Sequence, residues 1–256
     1  MLIRLLSVIK DHMSTVEHLV DEISVLADGY EASNEIADIL RQRELVPLIG
    51  PFAVGKSAIM NATIELDSEF GRVRSFTTRP QRPNEDGGTY NFLAHDTPTL
   101  GQIRDDVQGR KLVQVIVHPT TGNVYGSNID SYGAPYSMLD TMPTSLPGLE
   151  VLPFRRIHKV AIAVPPEVWQ GRLAERAGNG NEDDLRKRVR EGVANLEWSL
   201  DQGQDLSWVV NGDRDIRDTA GELISTIRNG GSEASVVAGR IAAERLVATM
   251  RAIEQF

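Results

Sequence analysis

Apolar residues recur along this chain in two distinct rhythms. Val16, Leu19, Val20, Ile23 and Leu26 fall three and four positions apart, which predicts one amphipathic helix. Ser14 and Glu17 have the spacing of a capping box at its start, and Gly29 marks its end. A second, shorter helix is predicted from Ser33, carrying Ile36, Ile39 and Leu40. Beyond it the pattern changes to short apolar runs. Leu45–Ile49, Val73–Phe76, Leu112–Val117, Val160–Val164 and Trp208–Val210 read as strands. Pro47 sits awkwardly in the first, because proline cannot donate to a sheet ladder. Between the runs, Ser57–Thr63, Glu167–Ala177, Asp183–Leu200 and Ile216–Arg228 read as helices, and Arg79–Gly88 as a loop. Strands alternating with helices predict an α/β fold with a largely parallel sheet. After a small-residue linker, Asn229–Ser235, the positions Val236, Gly239, Ala243, Leu246, Met250 and Ile253 alternate in steps of three and four. That stripe fits docking on the domain or on the N-terminal helices, or a homodimer contact between two copies. The organisation read from these patterns is an N-terminal helical extension over 1–43, one α/β domain over 44–230 and a C-terminal helix over 231–256. The N-terminal helices read either as a packing appendage or as a partner-binding module.

Composition narrows the function classes. The 256 residues are 41% hydrophobic and 25% charged, the balance of a folded chain rather than a disordered one. Cysteine is absent, which excludes disulfides, thiolate zinc sites and cysteine nucleophiles. A net charge of −9 argues against general nucleic-acid coating. No run approaches the length of a membrane span, and Leu5–Ile9 is too short for a signal peptide core, so a cytoplasmic protein is expected. Met1 and Met13 both fit as start codons. The five histidines are scattered without metal-ligand spacing. Of the 27 basic residues, 22 are arginine; codon bias accounts for this, or planar recognition of phosphate does.

Gly50, Pro51, Phe52, Ala53, Val54, Gly55, Lys56 and Ser57 fit G-x-x-x-x-G-K-[ST] between a predicted strand and a helix that continues through Ala58. The backbone amides of such a loop cradle a polyphosphate. The lysine neutralises the β/γ oxygens, and the Ser57 hydroxyl can ligate Mg²⁺. The loop alone does not separate a GTPase, an ATPase and a small-molecule kinase.

A second constellation is more selective. Ser75-Phe76-Thr77-Thr78-Arg79-Pro80-Gln81-Arg82-Pro83-Asn84-Glu85, then Gly87 and Tyr90-Asn91-Phe92, closely resembles the guanylate kinase signature S-x-T-T-R-x-x-R-x-x-E followed by glycine and Y-x-F. Gly122-Asn123-Val124-Tyr125-Gly126-Ser127 resembles the family's G-N-x-Y-G-T, and Val209-Val210-Asn211 its V-V-N, in the family's order. The resemblance spans roughly residues 45–228. It implies a P-loop three-layer sandwich, ATP and Mg²⁺, and a nucleoside monophosphate acceptor, GMP or dGMP by default. Residue by residue, it implies acceptor roles for Ser75, Arg79, Arg82, Glu85, Tyr90, Tyr125, Ser127 and Asp140. Arg79 and Arg82 would grip the phosphate, with Glu85 orienting them. Asn211 would sit near the adenine. The charged stretch Arg172–Arg188 resembles the lid that closes on ATP, with Arg176 and Arg188 as its charge-neutralising catalytic pair beside Lys56.

One departure is sharp. The family reads guanine partly with a glutamate on the strand before G-N-x-Y-G-T; Ile116 stands in its place. Three functions stay open: a guanylate-kinase-like nucleotide kinase, a P-loop kinase for another phosphorylated acceptor, and a non-catalytic guanylate-kinase-like binding module.

Overall fold

The computed structural model describes residues 2–81, 88, 90–176, 182–203 and 205–254; the side chains of 2–14, 176 and 182–184 lie outside that description. Contacts divide the chain into two compact units: Met1–Arg41 with Val73–Gly133, and Gln42–Arg72 with Ala134–Phe256.

The second unit is built on β1 (Glu44–Ile49), buried at all six positions. Its parallel neighbours are β7 (Tyr136–Asp140) on one side, and β8 (Arg156–Ile157) then β9 (Val160–Ala163) on the other. Beyond them lie β10 (Ser207–Val210) and β2 (Phe70–Arg72), giving the order β10-β9-β1-β7-β2. Strands buried this completely need cover on both faces, the signature of a parallel α/β sheet. The helices of this unit supply it. They are α3 (Lys56–Leu66), α5 (Leu146–Glu150), α6 (Pro166–Arg176), α7 (Glu182–Asp201), α8 (Ile216–Asn229) and α9 (Glu233–Glu254). Pro47 is accommodated by a gap in the ladder. The β8 partners end at Leu45 and the β9 partners begin at Leu48, so no donor is missed where the ring lies.

The C-terminal stripe docks inside this unit. Gly239, Ala243, Leu246 and Met250 of α9 are buried. A Cβ at Gly239 would lie 2.4 Å from the Trp208 side chain, so the glycine sets how closely α9 approaches β10. Ion pairs Arg190–Glu254 (2.8 Å) and Arg251–Glu197 join α9 to α7.

The first unit holds α1 (Leu2–Ala27), α2 (Asn34–Leu40), α4 (Thr97–Gln108) and a mixed four-stranded sheet. The sheet order is β4 (Tyr90–Phe92), β3 (Ser75–Thr77), β6 (Val124–Asn128), β5 (Leu112–Val117). The apolar face of α1 completes its core: Leu19 and Ile23 are buried with Phe76, Leu100, Ile103, Val107, Leu112, Val115 and Val124. The Tyr30 hydroxyl donates to Leu112 O at 2.8 Å. The predicted start of α1 is corrected. The helix runs from Leu2, so Ser14 lies in its interior rather than at its start, and no glycine or proline interrupts the residues before it. The second helix starts as predicted, with Ser33 Oγ accepting from Ile36 N at 3.3 Å.

At the amino end of β1, Glu44 is nearly buried. It accepts from Arg155 Nε at 3.0 Å and meets His158 Nε2. Burial alone would raise its carboxyl pKa, but the hydrogen bonds and charges of His158 and Arg155 outweigh this and hold it below the usual value. A carboxylate with a depressed folded pKa adds stability above its unfolded pKa, and that stability is lost as pH falls through the folded value. Glu44→Gln is therefore expected to lower neutral-pH stability by about 1–3 kcal/mol and to flatten the acid limb of stability against pH. Urea unfolding from pH 7 to pH 3 checks both, and an unchanged acid limb refutes the assignment.

Candidate active site

In the second unit, the carboxyl end of β1 runs into the phosphate loop, which ends at the first residue of α3. Two glycines are sterically required. A Cβ at Gly50 would lie 2.6 Å from Ile162 O, and one at Gly55 only 2.3 Å from Asn211 Nδ2. Gly55 (φ +92°) and Ala53 (φ +62°) take left-handed backbone, which turns the loop tightly.

The loop is braced from three sides. The Val54 carbonyl accepts from Asn211 Nδ2 at 2.7 Å and from Arg172 Nη1 at 3.1 Å. The Phe52 carbonyl accepts from Trp169 Nε1 at 3.0 Å, and the two rings meet edge-on at 5.6 Å. Lys56 Nζ donates to Gly50 O and to Pro51 O (3.0 Å). It also stands 3.5 Å from Asp140 Oδ1. Arg72 Nη2 donates to Ser57 Oγ at 3.0 Å. Asn211, expected beside the adenine, is 2% exposed and holds the loop backbone. Asp140, expected with the acceptor group, is in this unit beside Lys56.

Arg188 is half-buried on α7. Arg176 ends α6, and its side chain is outside the described residues, as are Arg82 and Glu85 entirely. Trp169 and Arg172 were not singled out for the site from sequence. Their i, i+3 spacing on the helix after Val164-Pro165-Pro166 is the available signal.

In the first unit, strand register brings the remaining residues to one sheet face. Ser75 pairs with Tyr90, Thr77 with Tyr125, Ile116 with Tyr125 and Gln114 with Ser127. Cross-strand partners share a face. The Arg79 guanidinium lies over the Tyr90 and Phe92 rings, 5.2 and 5.0 Å from their centres, and its Nη1 donates to Pro80 O at 3.0 Å. The Tyr90 and Tyr125 rings meet edge-on at 6.0 Å. Ser127 is fully buried, its hydroxyl 3.0 Å from that of Tyr132, whose pKa burial pushes up to about 12. Thr78 Oγ1 accepts from Val124 N at 2.9 Å and lies 2.9 Å from His95 Nδ1, locking the strand end that leads into Arg79. Ile116 is 45% exposed on the shared face. Strands β3–β6 carry no carboxylate. Among the described residues, no cluster of three or more His, Asp or Glu gathers as a metal site, and no helix is long and apolar enough to cross a membrane.

The second unit thus has a parallel α/β sheet whose first strand feeds a braced G-x-x-x-x-G-K-S loop at the start of a helix, the arrangement of a phosphate loop. No family model matches the chain. It is 27% identical over 201 residues to the guanylate kinase of Chelativorans sp. (strain BNC1), covering 72% of this chain and 82% of that protein. The chain is similar to that guanylate kinase over most of both lengths. A crystal structure of guanylate kinase from Anaplasma phagocytophilum matches with a TM-score of 0.45 and 16% identity, covering 77% of this chain and 89% of that one.

Proposed function

We propose that this chain is an ATP-dependent nucleoside monophosphate kinase, with GMP or dGMP as the default acceptor. The observation that carries the reading is the braced phosphate loop, its Val54 carbonyl fixed by Asn211 and Arg172 and its Lys56 poised beside Asp140. On this reading the loop amides hold the β-phosphate of ATP, and Lys56 exchanges its loop carbonyls for phosphate oxygens. Ser57 and Asp140 are the oxygen donors suited to Mg²⁺, and the ion, when bound, would neutralise and orient the triphosphate. Arg79 and Arg82 grip the acceptor phosphate, with Glu85 orienting them and Ser75, Tyr90 and Tyr125 lining that side, while the buried Ser127 supports that sheet from behind through Tyr132. An acceptor phosphate oxygen forms the new bond to Pγ as the bond to the β,γ-bridging oxygen breaks, giving ADP and a nucleoside diphosphate. Arg176 and Arg188 offset the charge spread over the transferring group. Lys56, Ser57 and these arginines argue against a module that binds without turnover.

One observation favours a second reading, a different phosphorylated acceptor. Ile116 is exposed opposite Tyr125, and no strand of that sheet offers a carboxylate to guanine's N1–H and 2-amino donors. Purified protein with ATP and Mg²⁺, offered GMP, dGMP, AMP, CMP and UMP with ADP release followed, is expected to turn over GMP or dGMP best. Selective turnover of another acceptor supports the second reading. Bound ATP with no turnover on any of them refutes both and leaves a binding module.

A further inference from the structure

Arg72 closes β2, the edge strand of the large sheet, at the carboxyl end where ligands of open α/β sheets bind. It is in register with Met138 of β7, so it shares a sheet face with Met138 and, one step further along, Asp140. Its Nη2 donates to Ser57 Oγ at 3.0 Å. That hydroxyl is the one a G-x-x-x-x-G-K-S loop offers to Mg²⁺. A serine hydroxyl has two lone pairs, and Arg72 takes one. A metal on the other would lie about 2.0–2.1 Å from the same oxygen, leaving dication and guanidinium within roughly 5 Å of each other. At that range two cations repel, while both attract the same phosphate oxygens.

We propose that Arg72 is a positioning residue that sets how far triphosphate binding depends on magnesium. It holds the Ser57 hydroxyl, neutralises part of the triphosphate itself and lowers the affinity of the loop for the metal. The inference rests on the reading of the phosphate loop as the ATP site.

The test is calorimetric ATP binding to the full chain and to Arg72→Gln, in EDTA and in saturating Mg²⁺. Arg72→Gln is expected to weaken metal-free binding about tenfold, the weight of one charge-assisted contact, and binding with Mg²⁺ by less than about threefold. The Mg²⁺ concentration that half-saturates the ATP complex should fall in the variant. Arg72→Lys, which keeps the cation but loses the fork, should lie between, and it decides the matter if the glutamine variant does not fold. Equal losses with and without Mg²⁺, or none in either, overturn the role of Arg72 while leaving the ATP site standing. A wild-type chain that binds no ATP in either condition overturns the ATP site itself.

Discussion

Lys56→Ala should cut ADP release by about 10²–10³-fold, the usual effect of deleting one preorganised charge from a transferring group. The site supplies the reason. Lys56 Nζ is 10% exposed on its side chain and is aimed by two loop carbonyls, so little is lost in ordering it when phosphate arrives. Its removal also leaves Asp140 without the cation 3.5 Å away, so a carboxylate then faces incoming phosphates. ATP affinity should therefore fall together with turnover. Lys56→Arg should not restore it, because a planar fork cannot replace a compact ammonium inside a loop this tight. A coupled assay for ADP, read beside calorimetric ATP binding, measures both effects. Near wild-type turnover in Lys56→Ala would remove Lys56 from the mechanism.

What could be read in the sequence was whatever depends on local pattern. The phosphate loop and its flanking strand and helix follow from glycine placement and an apolar run, and they fold as expected over β1 and α3. The stripe on α1 was legible because its 3.6-residue period survives whatever it packs against, and it lies against the first unit's core. The pattern was silent where elements are short or signals split. β2, β4 and β6 have three to five residues each, too few to show alternation. α4 was passed over although Asp96 caps it through Thr99 N at 3.0 Å and Leu100, Ile103 and Val107 fall on one face. Its mean character is polar, and Pro98 near its start reads as a breaker until it is seen in the first turn. The braces on the loop were illegible for another reason. Asn211, Arg172 and Trp169 act on Phe52 and Val54 from more than a hundred residues away, and only the sheet order brings them there.

That long-range bracing makes Trp169 a residue whose loss should cost the second unit heavily. Its ring is fully buried on α6 and meets Phe52 of the loop edge-on. Trp169→Ala leaves a cavity the size of an indole, which costs about 3–5 kcal/mol in a core that relaxes only in part. It also strands the Phe52 carbonyl, which has Trp169 Nε1 as its donor at 3.0 Å. Trp169→Phe separates the two effects. A phenyl ring fills most of the space and keeps a ring contact with Phe52, but the N–H is gone, so about 1–3 kcal/mol should be lost through the unpaired carbonyl. Because Phe52 belongs to the loop, the phenylalanine variant should weaken ATP binding by more than its modest loss of stability suggests. Urea unfolding gives the stability of each variant, and ATP binding at a concentration where both remain folded gives the loop's share. An alanine variant as stable as wild type would show that α6 does not carry the loop. A phenylalanine variant with unchanged ATP affinity would show that the Phe52 carbonyl needs no fixed donor.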